Sequence, residues 1–151
     1  MVEFPPFLKV CSVLNSAGAN YLVIGGFACI LHGLVRTTED VDILVEGSHA
    51  NLQKVIDGLA KLEDGAAAEL KPVDFETNLV IKIADEVEVD VSTRAWKVSF
   101  EDAFPGRLIA NVEGVEIPYI GMDALIDSKS TYREKDQADV LQLRRIRDQK
   151  K

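Results

Sequence analysis

Asp40 and Asp42 stand two residues apart in the stretch RTTEDVDILVE, residues 36–46. On a β-strand that spacing projects both carboxylates from one face, with Cα atoms about 6.6 Å apart. Val41, Ile43 and Val45 make the opposite face wholly apolar, so the strand is half core and half acid. Two ionised carboxylates this close repel each other, a cost that a divalent cation relieves. Hard cations such as Mg²⁺ take a few carboxylates together with phosphate oxygens and water, which makes the pair a candidate metal site for phosphate chemistry. An edge strand with a solvated acidic face would show the same pattern, and the pair alone does not separate the two.

Other residues extend the pattern. Gly25-Gly26 closes the apolar stretch YLVI just before a short helical pattern over residues 27–33. Glycines there allow close backbone approach, and the N–H groups of a helix start suit a phosphate. Arg36 and Thr38 carry the alternation of Asp40 and Asp42 backwards, provided the chain stays extended, and add a cation and a hydroxyl suited to phosphate. The stretch EVEVDVS, residues 86–92, puts Glu88 and Asp90 on one face of another strand, and either supplies a third carboxylate. Three such groups can hold two metal ions that activate an attacking hydroxyl and stabilise a leaving group.

Near the C-terminus Met122, Leu125, Ile126 and Lys129 follow helical spacing, with Arg133 continuing the row one turn later. A lysine on a core-facing stripe either snorkels at a helix end or reaches into an acidic, phosphate-binding cleft. Asp136 and Asp139 either position these cations or cap and solvate the last helix. His32 is expected to be a core or helix-end residue. Trp96 and Tyr119 have the surface to stack on a base, but packing is the expected role of each.

The elements that must position these residues alternate along the chain. A helix opened by Pro5-Pro6 closes near Gly18, and the strand YLVI and the short helix follow it. VDILVE is the next strand, and Ser48 is placed to cap a helix over residues 49–62. NLVIKIA and EVEVDVST form a hairpin around Asp85-Glu86, and RLIANVEGVEIPYIG a second one turning near Glu113-Gly114. Helices over residues 122–132 and 135–148 finish the chain. Strands occur both between helices and in hairpins, which predicts an α/β (α+β) fold with a small mixed sheet flanked by helices. The 151 residues read as one domain, with a core over residues 19–120 and C-terminal helices over residues 121–148.

Composition narrows the function classes. A net charge of −8 argues against binding nucleic acid with the whole surface. The exception is the tail LRRIRDQKK, in which five of nine residues are basic: a solvated helix end, or a contact for an anionic partner. No apolar run reaches the length of about 18 residues that a transmembrane helix needs. The opening MVEFPPFLKV lacks the basic and apolar regions of a signal peptide, so the expected location is the cytoplasm, with Cys11 and Cys29 as buried free thiols.

The double glycine, 13 intervening residues, Asp-hydrophobic-Asp and a later strand carboxylate resemble the signature of the DNA polymerase β-like nucleotidyltransferases. GGFACILHGLVRTTEDVDILV and LIDSKSTYREKDQADVLQL are similar to elements of its minimal branch, which includes the AbiEii-type toxins of abortive-infection and toxin–antitoxin systems. The resemblance covers residues 20–46, 86–93 and 121–143. It implies an enzyme that transfers an NMP from an NTP to a hydroxyl or phosphate acceptor and releases pyrophosphate. It implies Mg²⁺ or Mn²⁺, as two ions, on Asp40, Asp42 and Asp90, with Glu88 the competing third carboxylate. It also places nucleotide against Gly25, Gly26, Arg36, Thr38 and Lys129. Larger relatives carry a further C-terminal helical region that selects the acceptor. Here two helices end the chain, so the acceptor (RNA, protein or small molecule) would be small, bound across an oligomer interface, or supplied by a partner. A non-catalytic nucleotide-sensing or partner-binding module of the same ancestry is the alternative, and a structural protein with solvated acidic strands a third.

Overall fold

Pro5 and Pro6 fall in the first turn of a helix, where their missing N–H groups cost nothing, and Phe7, Val10, Cys11 and Leu14 recur along its buried face. This helix, α1 (Phe4–Ser16), opens the computed structural model, which describes residues 4–150. The N-terminal residues 1–3 read for a missing signal peptide, and Lys151 of the basic tail, lie outside the described residues. After α1 come β1 (Tyr21–Ile24), α2 (Gly25–Leu31), β2 (Val41–Val45), α3 (His49–Leu59), β3 (Val80–Ala84) and β4 (Glu88–Ser92). A small ribbon of β5 (Arg94–Ala95) and β6 (Val98–Ser99) leads through α4 (Phe100–Ala103) to β7 (Leu108–Val112) and β8 (Val115–Tyr119). The chain closes with α5 (Met122–Ser128) and α6 (Glu134–Gln149).

Six strands make one mixed sheet in the order β3-β4-β2-β1-β8-β7. β2 runs antiparallel to β1 and parallel to β4, and β1 is parallel to β8. The two expected hairpins are the antiparallel pairs β3–β4 and β7–β8. Glu113 and Gly114 both take positive φ, which matches the turn to the twist of its strands. β1 is buried along its whole length and β2 everywhere except at Asp42. Helix α1 packs on α3 and β8, while α2 packs on β1, β2 and α5, and α5 on α6. The buried side chains form a single apolar cluster reaching from Phe7 to Leu143. The mixed sheet, its flanking helices and the two C-terminal helices agree with the fold read from the sequence. Among the described residues, no helix is long and apolar enough to cross a membrane.

Three helices differ most from their expected bounds. The helix expected over residues 27–33 starts two residues earlier, so Gly25 and Gly26 form its first turn and do not extend the strand. The helix expected over residues 49–62 is capped by the Ser48 hydroxyl as read, but ends at Leu59. The helix expected over residues 122–132 stops at Ser128, because the Ser128 and Ser130 hydroxyls bond back to the Leu125 and Ile126 carbonyls and compete with further helix. Arg133 therefore does not continue the Lys129 stripe; it is the exposed N-cap residue of α6.

Candidate active site

The register of the central strands collects the carboxylates. In the parallel pair β2–β4, Asp42 lies beside Asp90, and on its other side Asp42 faces Ile24 at the end of β1. Asp40 sits one residue before β2, and Glu88 opens β4. Oxygens of Asp40, Glu88 and Asp90 lie within 4.8 Å of one another, and all three side chains are half-buried. Asp42 adjoins this group through Asp90. Burial pushes its carboxyl up to about 7; its hydrogen bond and charge repulsion with Asp90 and repulsion from Asp40 add to the rise, against the pull of Lys129. A hydrogen bond to Asp40 likewise raises the Glu88 carboxyl. Both residues between which the sequence left a choice, Glu88 and Asp90, are thus present in one cluster with Asp40, which Asp42 adjoins through Asp90. A donor set made only of carboxylate oxygens, two of them driven towards their protonated forms by their neighbours, fits a hard divalent cation.

The two glycines stand beside this cluster for a reason the sequence did not reveal. Gly25 holds φ at +66°, and a Cβ there would fall 2.1 Å from an Asp42 carboxylate oxygen. A Cβ on Gly26 would fall 2.6 Å from the Thr38 hydroxyl. The pair makes room for the chain's own acid and hydroxyl. Thr38 itself is buried and donates to the Asp40 carbonyl at 3.2 Å, which fixes the bend leading into β2. Residues 34–38 are not a strand, so Arg36 does not belong to a continuous alternating face.

Arg36 is tied elsewhere. It pairs with Asp139 of α6 and donates Nε to the Thr37 carbonyl at 3.0 Å. Lys129, buried at the C-terminal end of α5, bonds Asp139 at 2.8 Å and Asp136 at 3.3 Å. Thr131 donates to the other Asp136 oxygen at 2.6 Å. Burial works against the Lys129 charge, but the Asp139 hydrogen bond and the surrounding carboxylates hold its pKa above the ordinary lysine value. Asp136 and Asp139 therefore position the cations, and Lys129 reaches the acidic cleft.

Two cavities meet at the carboxylates. The smaller, about 240 Å³, is walled almost entirely by charge: Arg36, Lys129, Arg133 and Lys135 face Asp40, Asp42 and Asp90 across it, with Gly26 and Thr38 in the wall. The larger, about 530 Å³, shares Asp42, Asp90 and Lys129 and runs past Gly25, Ser92 and Arg94 to Trp96 and Tyr132. Sequence reading passed over Lys82, whose Nζ lies 3.2 Å from Asp90. The hairpin was the available signal, since a turn at Asp85-Glu86 sets Lys82 opposite Asp90. His32 and Tyr119 take the packing roles expected. His32 bonds the Ile120 carbonyl at 2.7 Å and meets the Tyr119 ring edge-on at 5.1 Å. Cys11 and Cys29 are buried free thiols, pushed by burial up to about 12 and about 11.

No protein-family model matches the chain, and no curated protein matches its sequence. Solved structures do match. The lincosamide antibiotic adenylyltransferase LnuA, in its lincomycin-bound form, superposes with a TM-score of 0.64 over 96% of this chain and 98% of its own, at 19% identity. An antigenic nucleotidyltransferase-like protein from Paracoccidioides brasiliensis gives 0.57 over 90% of this chain and 74% of its own, at 17% identity. A Thermotoga maritima protein assigned as a nucleotidyltransferase gives 0.57 over 93% of each chain, at 14% identity. At these identities the likeness is one of fold: the chain has the fold of nucleotidyltransferases.

Proposed function

We propose that this chain, acting as one domain, is a metal-dependent nucleotidyltransferase that moves an NMP from an NTP to an acceptor hydroxyl or phosphate and releases pyrophosphate. The observation that carries the proposal is the convergence of Asp40, Glu88 and Asp90, with Asp42 beside Asp90, where a cation-lined and a partly apolar cavity share Asp42 and Asp90, on this fold. Asp40, Asp42 and Asp90, with Glu88 beside them, are the residues that would hold Mg²⁺ or Mn²⁺, as two ions. Bound there, the metal supplies charge neutralisation for the phosphates and lowers the pKa of an attacking hydroxyl.

The chain's own residues divide the remaining work. Asp90, which lines the larger cavity together with Asp42, takes the proton of the acceptor hydroxyl. Arg36 and Lys129, held in place by Asp136 and Asp139, present fixed positive charge to the departing pyrophosphate, and preorganised charge of this kind stabilises a transition state without reorganisation. Gly25 and Gly26 allow Asp42 and Thr38 to stand where the triphosphate turns. The minimal toxin-type branch that the sequence resembles is one home for such an enzyme. LnuA, which is bound to lincomycin in its structure, suggests small hydroxylated antibiotics as the first acceptors to try.

Incubation with each labelled NTP, Mg²⁺ or Mn²⁺, and either lincosamides or cell extract should release pyrophosphate and label an acceptor. Asp42→Asn and Asp90→Asn should each lower the rate by at least ~10²-fold. Equal pyrophosphate release from wild type and Asp42→Asn with all four NTPs would end the catalytic reading. Tight NTP binding with no release over long incubation would instead establish the nucleotide-sensing module.

A further inference from the structure

The larger cavity has a feature the catalytic proposal leaves unused. Beyond the carboxylates its wall follows the chain from Asp90 through Ser92 and Arg94 to Trp96, every second residue in turn. Ser92 is 6% exposed and, among the described residues, its hydroxyl has no hydrogen-bond partner, although it lines the cavity. Trp96 sits in the two-residue turn of the β5–β6 ribbon with φ at +57°, a backbone conformation that bulky residues rarely hold. Turns of this kind normally carry Asn, Asp or Gly. The conformation leaves the indole 42% exposed, and Tyr132, 88% exposed, meets it edge-on with ring centroids 5.8 Å apart. Two large aromatic side chains are thus held out of the core at the mouth of one cavity. Ile24, Val80 and Ala95 line the same cavity, and Arg94 and Arg133 contribute charge to it.

The smaller cavity cannot take this role. It offers no apolar wall and is the size of a phosphate chain, so a nucleotide that places its phosphates there must extend its sugar and base into the larger one. We infer that Trp96 and Tyr132 form the nucleobase subsite of an NTP, the base stacking on the indole with Tyr132 as its second wall and the Ser92 hydroxyl within the stretch that the sugar crosses. This rests on the nucleotidyltransferase reading and adds to it the place of the base. A stacking surface is tolerant of base identity, because every base offers a π-face.

Trp96 is the chain's only tryptophan, so its fluorescence reports on this surface alone. With Mg²⁺ present, ATP, GTP, CTP and UTP should each quench it. Inorganic tripolyphosphate should displace the nucleotides yet leave the emission unchanged. By calorimetry, Trp96→Ala and Tyr132→Ala should each weaken ATP binding by about tenfold while tripolyphosphate affinity stays at the wild-type value, and Trp96→Phe should restore most of the loss. Both side chains are exposed, so neither change threatens the fold, and circular dichroism checks that directly. ATP binding without quenching, together with unchanged affinity in Trp96→Ala, would overturn the subsite and leave the catalytic reading standing; the aromatic pair would then be free for the acceptor. If neither ATP nor tripolyphosphate binds, the subsite and the nucleotidyltransferase reading fall together.

Discussion

Two charge clusters share the wall of the small cavity, and they are built on opposite plans. Around Lys129, two carboxylates face three cations and a hydroxyl: Asp136 and Asp139 are matched by Lys129, Arg36, Thr131 and, at its exposed edge, Arg133. Beside it Asp40, Glu88 and Asp90 converge and Asp42 adjoins them through Asp90, and the one cation in direct contact among the described residues is Lys82, which is largely exposed. The first cluster closes within the chain. The second is not balanced by the cations that touch it among the described residues. Buried charges are tolerated when paired and bonded, so the balanced cluster is explained by the fold itself. The unbalanced one lowers the stability of the free protein, and cost of this kind gathers at functional sites.

Removing the central cation should break the balanced cluster. Lys129→Met leaves Asp139 with Arg36 and Asp136 with only the Thr131 hydroxyl and the exposed Arg133 at 3.9 Å, and loss of one member of a buried pair typically costs about 3–5 kcal/mol. Chemical denaturation at neutral pH should show a loss of that order, with little change in denaturant slope. A stability equal to wild type would mean that the network is not held together by Lys129, and the contrast would collapse.

The same experiment on the unbalanced cluster should run in the other direction. Burial and its neighbours hold the Asp42 carboxyl at about 7, against an ordinary value of 3.8. Between those values the unfolded chain has released its proton while the folded chain keeps it, so stability falls as the pH rises through the window. Asp42→Asn removes the penalty. In metal-free buffer at pH 8 the variant should be the more stable by on the order of 2–4 kcal/mol, with the advantage gone below about pH 4. The balanced cluster gives no such slope: the Lys129 pKa is raised, so its contribution is complete below the ordinary lysine value of 10.5 and is lost only at higher pH. A variant gain that is flat from pH 4 to pH 8 would show that Asp42 is not the group responsible.

Divalent cations should act on one cluster and leave the other alone. A ligand at ten times its dissociation constant stabilises the folded state by about 1–2 kcal/mol. Mg²⁺ should therefore raise the melting temperature of wild type and of Asp136→Asn at pH 8, and the rise should shrink at pH 5, where protons compete for the carboxylates. Asp90→Asn should abolish it. A melting temperature indifferent to Mg²⁺ and Mn²⁺ would remove the cation from the account of the acidic cluster.

How far the site could be read from the sequence follows from the range of the interactions involved. Strand period two and helix period 3.6 are local, so the sheet, its hairpins and the acidic face of β2 were visible in the residues. Asp90 and Lys129 also announced themselves locally, one by alternation and the other as a charge on an apolar stripe. The convergence of Glu88 and Asp90 with Asp40 and Asp42 was not visible, because it depends on which strand lies beside β2, a contact across more than 40 residues. The reason for Gly25 and Gly26 was hidden in the same way: each answers to a side chain 17 or 12 positions further on. The helix at Lys129 was read too long because helical spacing continued past Ser128, while the hydroxyls that end it act through geometry that spacing does not record. The β5–β6 ribbon is too short for periodicity to reveal, and Trp96 gained its interest only from where that ribbon puts it.

Lys82 offers the finest test of the contrast, since it is the chain's own partial answer to the acidic cluster. Its side chain is 62% exposed and reaches Asp90 at 3.2 Å, and the hydrogen bond and charge of Asp90 raise its pKa above the ordinary lysine value. Exposed pairs of this kind contribute under about 1 kcal/mol because water screens them. Lys82→Ala should thus lower metal-free stability at pH 8 by less than about 1 kcal/mol. The same variant should widen the stabilisation that Mg²⁺ provides, since a metal then meets one competing cation fewer. In the Asp90→Asn background the lysine has lost its partner, and Lys82→Ala should cost nothing further; that non-additivity isolates the pair. Lys82→Ala that lowers the Mg²⁺ response would place the lysine on the side of the ligand, and the acidic cluster would need it to close.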